Sequence, residues 1–227
     1  MAFDGCFVTG TDTGVGKTLV SAALLHTLAR HHLRVVGMKP VAAGLIEHRG
    51  QWVSEDVLAL RAASTVVVPA ELDNPVALPD AIAPHLAAER AGRTVTVAEL
   101  LAAHRALRAH ADVVVVEGAG GWRVPVNDDE TLADLARAIG APVVLVVGLR
   151  LGCLNHALLT AEAIRADGLT LAGWVANAID PDMPCREENI ETLRRWLPAP
   201  LLGRVPWQAA APKAHDIALE LPHDLVG

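Results

Sequence analysis

The run Val8-Thr9-Gly10-Thr11-Asp12-Thr13-Gly14-Val15-Gly16-Lys17-Thr18 ends on a glycine, a lysine and a hydroxyl residue in succession, an order suited to holding phosphate. Its glycines let a loop bring the backbone N–H groups of Thr13, Gly14, Val15, Gly16, Lys17 and Thr18 toward an anion. Lys17 can reach terminal phosphates, and the Thr18 hydroxyl can face Mg²⁺. Five residues rather than four separate Gly10 from Gly16, with Thr11 standing where the first glycine of the pattern usually falls. A second group with chemical potential is Glu117, followed by Gly118-Ala119-Gly120-Gly121. A carboxylate there can hold a divalent ion directly or through water, while small neighbours leave room for phosphate or substrate. Lysine is scarce, 3 residues against 16 arginines, and two of the three are Lys17 and Lys39. At such sites a compact ammonium is not replaceable by a guanidinium.

These groups need a scaffold, and the apolar pattern supplies one. Strand-like runs recur at Cys6 to Thr9, Arg34 to Met38, Asp112 to Val116, Pro142 to Val147, Leu171 to Ala176 and Leu201 to Val205. Between them, Leu19 to Ala29, Val97 to Arg108, Leu132 to Ile139, Leu158 to Ala166 and Glu187 to Trp196 carry helical spacing. Continuous apolar strands alternating with helices predict an α/β fold with a mostly parallel sheet covered on both faces. The glycine-rich run then joins the first strand to the first helix, and Glu117 stands at the C-terminal end of a strand, where ligands of parallel sheets gather. Residues Ala42 to Arg93, interrupted by four prolines, are expected as loops and short helices facing substrate, and the chain after Pro212 as a loosely packed tail. No solenoid repeat or low-complexity linker divides the chain, so one domain spanning 1–227 is expected.

A formal charge of −7 without a basic block argues against a nucleic-acid partner. The apolar fraction of 52% is spread over strand-sized runs rather than one long segment, so no membrane span is expected, and the start of the chain lacks the basic region of a signal peptide. Cys6, Cys153 and Cys185 form neither an even framework nor a Cys-x-x-Cys pair, which fits a reduced, cytoplasmic setting.

Five motifs in order, Gly-Thr-Asp-Thr-Gly-Val-Gly-Lys-Thr, Met-Lys-Pro-Val-Ala-Ala-Gly, Val-Glu-Gly-Ala-Gly-Gly, Leu-Gly-Cys-Leu-Asn-His-Ala and Ala-Gly-Trp-Val-Ala-Asn, resemble dethiobiotin synthetase over nearly the whole chain. The resemblance implies the three-layer α/β/α P-loop NTPase fold and an ATP- and Mg²⁺-dependent ligase of biotin synthesis. In that family 7,8-diaminopelargonate takes up CO₂ (bicarbonate) as a carbamate, and the carbamate attacks the γ-phosphate. The second amine then displaces phosphate from the carbamic-phosphoric anhydride to close the ring. By position, Lys39 falls on the catalytic lysine beside Lys17, and Thr18, Asp56 and Glu117 fall on the metal ligands. Gly118, Ala119 and Gly120 fall beside the nucleotide, while Asn177, Ala178, Pro206, Trp207 and Gln208 fall around its base. Gly152, Cys153, Leu154 and Asn155 fall on the segment that takes the substrate carboxylate of a neighbouring subunit, which implies a homodimer with substrate bound across the interface. Cys153 is then there for its backbone, and His156 is expected as a packed helix residue.

Three positions depart from the family. Ala43 stands where a substrate-binding serine is common, Ala178 where some relatives have a second polar residue, and Lys213 near where a relative can carry an acid. Two other readings fit less well. A partition or septum-placing ATP switch carries a second lysine early in its loop, where Asp12 stands here, and often a membrane-targeting tail. A corrin-synthesis amidotransferase needs an added glutaminase domain, which 227 residues do not accommodate.

Overall fold

A computed structural model describes residues 3–210 and 212–226. In chain order it begins with β1 (Gly5–Gly10), α1 (Lys17–Leu28), β2 (Val35–Met38), β3 (Val41–Ala43), β4 (Ile46–His48) and β5 (Gln51–Val53). It continues through α2 (Glu55–Ala63), α3 (Ala70–Asp73), β6 (Val76–Leu78), α4 (Pro84–Arg90), α5 (Val97–Leu107) and β7 (Val113–Glu117). The remainder is α6 (Leu132–Ile139), β8 (Val143–Leu149), α7 (Cys153–Ala166), β9 (Leu171–Ala178), α8 (Arg186–Trp196) and β10 (Leu201–Val205), closed by 3₁₀ turns at Ala214–Asp216 and His223–Leu225.

Six strands form one sheet in the order β10-β9-β8-β1-β7-β2, and each neighbouring pair is parallel. The period of 2 along each strand divides its side chains between two apolar layers. Cys6, Val8, Val35, Val113, Val115, Val144 and Val146 pack against Leu24, Leu25 and Leu28 of α1 and Leu60 of α2. Phe7, Val36, Met38, Val114, Val116, Leu145 and Val147 join Leu100 of α5, Leu135 of α6, Ile164 of α7 and Leu193 of α8 on the other face. This is the three-layer α/β/α arrangement, and strands buried on both faces explain why Val113 to Val116 show no polar alternation.

Three expectations need correction. The stretch after Ala42 is not only loops and short helices: β3 pairs in parallel with β6, and β4 with β5 makes an antiparallel hairpin. The predicted helix at Leu158 begins one and a half turns earlier, at Cys153, capped by Gly152 at φ 96°. The tail is not loose. Leu219 and Leu225 are buried beside Leu202, and the Glu220 N–H donates to the Leu202 carbonyl at 2.8 Å. β10 is an edge strand, and an unpaired apolar edge is stabilised by whatever chain covers it. No helix among the described residues is long and apolar enough to cross a membrane.

Candidate active site

Strand parity brings the two informative charged groups together. Glu117 continues the alternation of Val113 and Val115 in β7, and Lys39, just past β2, continues that of Val35 and Gly37, so both face the α1 and α2 layer. There they meet Thr18 in the first turn of α1 and Asp56 in the first turn of α2. The loop before α1 is held from behind. The buried Asn177 of β9 donates from Nδ2 to the Val15 carbonyl at 2.8 Å. Gly16 caps α1 at φ 88°, and a Cβ there would come within 2.1 Å of Asn177 Nδ2, so a side chain is doubly excluded. Downstream of Glu117, the glycine-rich turn is anchored by Trp122, whose indole donates to Asp167 Oδ2 at 2.7 Å and meets Phe7 edge to face.

The centre of the site is a four-group cluster. Lys39 Nζ lies 2.6 Å from Glu117 Oε1, 2.8 Å from Asp56 Oδ2 and 3.2 Å from the Gly118 carbonyl oxygen, so each ammonium hydrogen has an acceptor. Thr18 Oγ1 lies 2.8 Å from both Asp56 Oδ1 and Glu117 Oε1. A hydroxyl has one hydrogen, so it donates to only one of these carboxylates and leaves its lone pairs facing the other. Glu117 is fully buried, and its Oε2 has no hydrogen-bond partner among the described residues. Two carboxylates, one with a buried oxygen that lacks a donor, and a hydroxyl form an all-oxygen set of the kind Mg²⁺ takes together with phosphate and water. The residues present therefore fit that ion.

Electrostatics sort the two lysines. Burial lowers the Lys17 pKa to about 8, and repulsion from Lys39 adds to this, while Glu117, Asp56 and Asp12 oppose it. Lys17 Nζ donates to the Asp12 carbonyl at 3.0 Å, a neutral partner that leaves its charge largely uncompensated. Burial also depresses Lys39, but the carboxylates of Glu117 and Asp56 outweigh it and hold its ammonium above the usual lysine value. Asp56 loses solvent, which would raise it, yet Lys39 and Thr18 keep it below the usual carboxylate range.

A cavity of about 740 Å³ opens over this cluster. Thr13, Gly14, Gly16, Lys17 and Thr18 line it together with Lys39, Asp56, Glu117, Ala119 and Gly120. Apolar residues complete the lining: Ala43, Ala81, Ile82, Ala83, Pro84 and Val124. The sequence expects Ala42 to Arg93 to face substrate, with Ala43 named, but does not single out Ala81 to Pro84, whose local signal is the proline at the start of α4. Other expected groups do not border the cavity. Val15 is buried and offers only its backbone, and Gly118 is buried too. Asn177 and Ala178 end β9, and Pro206, Trp207 and Gln208 leave β10 where Val205 pairs with Asn177. These five form a separate rim of the same sheet edge, with Trp207 45% exposed. Gly152, Cys153, Leu154 and Asn155 open α7 outside the cavity, with Cys153 buried. His156 is exposed rather than packed, because its place in α7 points away from the layer that buries Cys153 and Ala157. Arg150, just before this turn, pairs with Asp12 and ties it to the phosphate loop.

The fold is shared with solved structures of distant sequence. The MinC:MinD cell division protein complex of Aquifex aeolicus matches with TM-score 0.55 at 16% identity, over 91% of this chain and 82% of that one. A ParA family ATPase from Chlorobium tepidum matches with TM-score 0.54 at 14% identity, over 91% and 85%. Chloroplast FtsY from Physcomitrella patens matches with TM-score 0.57 at 17% identity, over 100% and 64%. A family model described as AAA domain matches residues 4–214 and so spans the phosphate loop, Lys39, Asp56, Glu117 and Asn177. With that coverage and this site, the chain belongs to the AAA domain family of P-loop ATPases.

Proposed function

We propose that the protein is a dethiobiotin synthetase, using ATP and CO₂ to close 7,8-diaminopelargonate into a cyclic urea with release of ADP and phosphate. The observation that carries this reading is one cavity lined by two chemistries. Lys17, Lys39 and the acids around Thr18 border it, and so do Ala43, Ala81, Ile82, Ala83, Pro84 and Val124. The charged lining suits a triphosphate, the apolar lining a short alkane chain carrying amines.

In this reading Thr18, Asp56 and Glu117 hold Mg²⁺, which supplies positive charge to the phosphate oxygens. The backbone of Thr13 to Thr18 and the Lys17 ammonium bind the phosphates. Lys39 borders the same cavity as the phosphate loop and the apolar residues, and its ammonium neutralises the carbamate and γ-phosphoryl oxygens. Both amines belong to the substrate, so positioning and charge suffice and no side chain forms a covalent intermediate. Asn177 with Pro206, Trp207 and Gln208 receives the base on the neighbouring rim. The turn at Gly152 to Asn155 serves a second copy of the chain. Leu151, just before α7, and Leu159 within it are 87% and 56% exposed, and in this reading the second copy covers them.

The test is to supply Mg-ATP, bicarbonate and the diamine and to follow phosphate release. Phosphate should appear in proportion to ring closure and only with diamine present; hydrolysis indifferent to the diamine overturns the reading in favour of an ATP switch. Two further outcomes follow from the site. Ala43→Ser restores a hydroxyl on the substrate flank and is expected to lower the diamine KM a few-fold, about the effect of one added hydrogen bond. An unchanged KM removes the missing hydroxyl from the account. Because free Lys17 titrates near pH 8, triphosphate binding above that pH must first reprotonate it. Affinity should therefore hold near pH 7 and weaken as pH rises through 8, by at most roughly tenfold per unit, with proton uptake on binding. A dissociation constant flat to pH 9.5 contradicts this.

A further inference from the structure

Lys39 lies beyond the last ladder residue of β2, an edge strand, and precedes Pro40, so neighbouring strands do not hold its backbone. Both of its main-chain groups are instead held by the last residue of α3 and the one that follows it. The Lys39 N–H donates to the Asp73 carbonyl at 2.8 Å, and Asn74 Nδ2 donates to the Lys39 carbonyl at 2.7 Å. The second Asn74 amide hydrogen goes to the Val76 carbonyl at 3.1 Å. Because both partners are acceptors, the amide orientation is fixed by chemistry. Asp73, whose carboxylate is buried, receives a two-pronged hydrogen bond from Arg61 of α2, with Nε 2.7 Å from Oδ2 and Nη2 2.6 Å from Oδ1. The helix that carries Asp56 is thereby locked to the clamp on Lys39.

We propose that Asn74 is a positioning residue for Lys39, with the Arg61–Asp73 fork setting the clamp relative to Asp56. The inference rests on the catalytic role given to Lys39 above. The geometry needs a clamp: a lysine stem has four rotatable bonds, and its ammonium serves two acids and the cavity only if its Cα is fixed. A shift of about 1 Å in a reacting group can cost ~100-fold in rate.

The test compares Asn74→Ala, and Asn74→Ser as a milder change should the first fail to fold, by three readouts. With only three lysines, ¹³C-lysine labelling gives three side-chain signals, assigned by Lys39→Arg and Lys213→Arg. In the ligand-free variants the Lys39 signal should move while that of Lys213 stays. Diamine-dependent kcat should fall at least ~10-fold with the ATP dissociation constant held within ~2-fold, since the phosphate loop is untouched. In a Lys39→Ala background the same change should slow residual turnover by less than ~2-fold, because a residue acting through Lys39 has nothing left to position. An unmoved Lys39 signal, or an equal loss in both backgrounds, overturns the proposal. The signal is read without substrate, so a moved Lys39 in a protein showing no diamine-dependent turnover counts against the proposed reaction and not against Asn74.

Discussion

Replacing Lys39 with alanine is expected to lower diamine-dependent turnover at least ~100-fold, the scale of losing one preorganised electrostatic stabiliser. The ATP dissociation constant should change far less, because the phosphate loop and Lys17 lie on separate elements. The variant should also be less stable. Glu117 is wholly buried and Lys39 is its cationic partner at 2.6 Å, and removing one member of a buried pair typically costs about 3–5 kcal/mol. Thermal unfolding with and without Mg²⁺ separates these effects. A divalent ion bound by Thr18, Asp56 and Glu117 supplies the missing positive charge, so Mg-nucleotide should recover much of the lost stability and none of the lost turnover. Lys39→Met, which keeps the apolar stem, should show the same catalytic loss with a smaller structural one. Near-normal turnover in either variant removes Lys39 from the chemistry.

Glu117→Gln should be nearly as damaging, by a different route. The amide keeps the volume and removes the charge, so the oxygen shared by Lys39 and Thr18 becomes at best a neutral carbonyl and the second oxygen becomes an NH₂ donor that cannot bind a cation. Turnover is expected to fall ~100-fold or more, with the Mg²⁺ concentration needed for half-maximal rate rising at least ~10-fold. Binding of ATP without metal should persist, since the loop from Thr13 to Thr18 is intact. An unchanged Mg²⁺ dependence would leave the ion to other residues and dissolve the proposed ligand set. The two variants are diagnostic together: loss of Lys39 impairs chemistry at saturating Mg²⁺, whereas loss of Glu117 shifts the Mg²⁺ curve itself.

Much of the site could be read from local pattern. Gly16-Lys17-Thr18 between a strand and a helix predicts a phosphate loop because glycine conformation and helix dipole are properties of a few consecutive residues. The positions of Glu117 and Lys39 at strand ends follow from apolar runs that stop there, and the period of 2 then turns both to one face. Asp56 was harder. In Ser54-Glu55-Asp56 it reads as well as a first-turn acid, and it does stand in the first turn of α2, yet its oxygens reach Thr18 and Lys39.

What local pattern could not supply was every relation between segments far apart in the chain. The apolar stretch Ala81 to Pro84 has no chemical signature of its own and becomes part of the site only because the fold brings it to the cavity that Lys39 also lines. Asn74 looks like an ordinary residue before proline until its amide is seen on the Lys39 carbonyl, and Asn177 turns out to brace Val15 across 162 residues. The tail reads as loosely packed, and Leu219 and Leu225 acquire a role only when β10 presents an edge to cover. Backbone conformation and side-chain parity depend on near neighbours, so they are written in the order of residues. Which carbonyl an amide meets, and which wall faces a cavity, depends on how layers pack, and packing is a property of the whole chain.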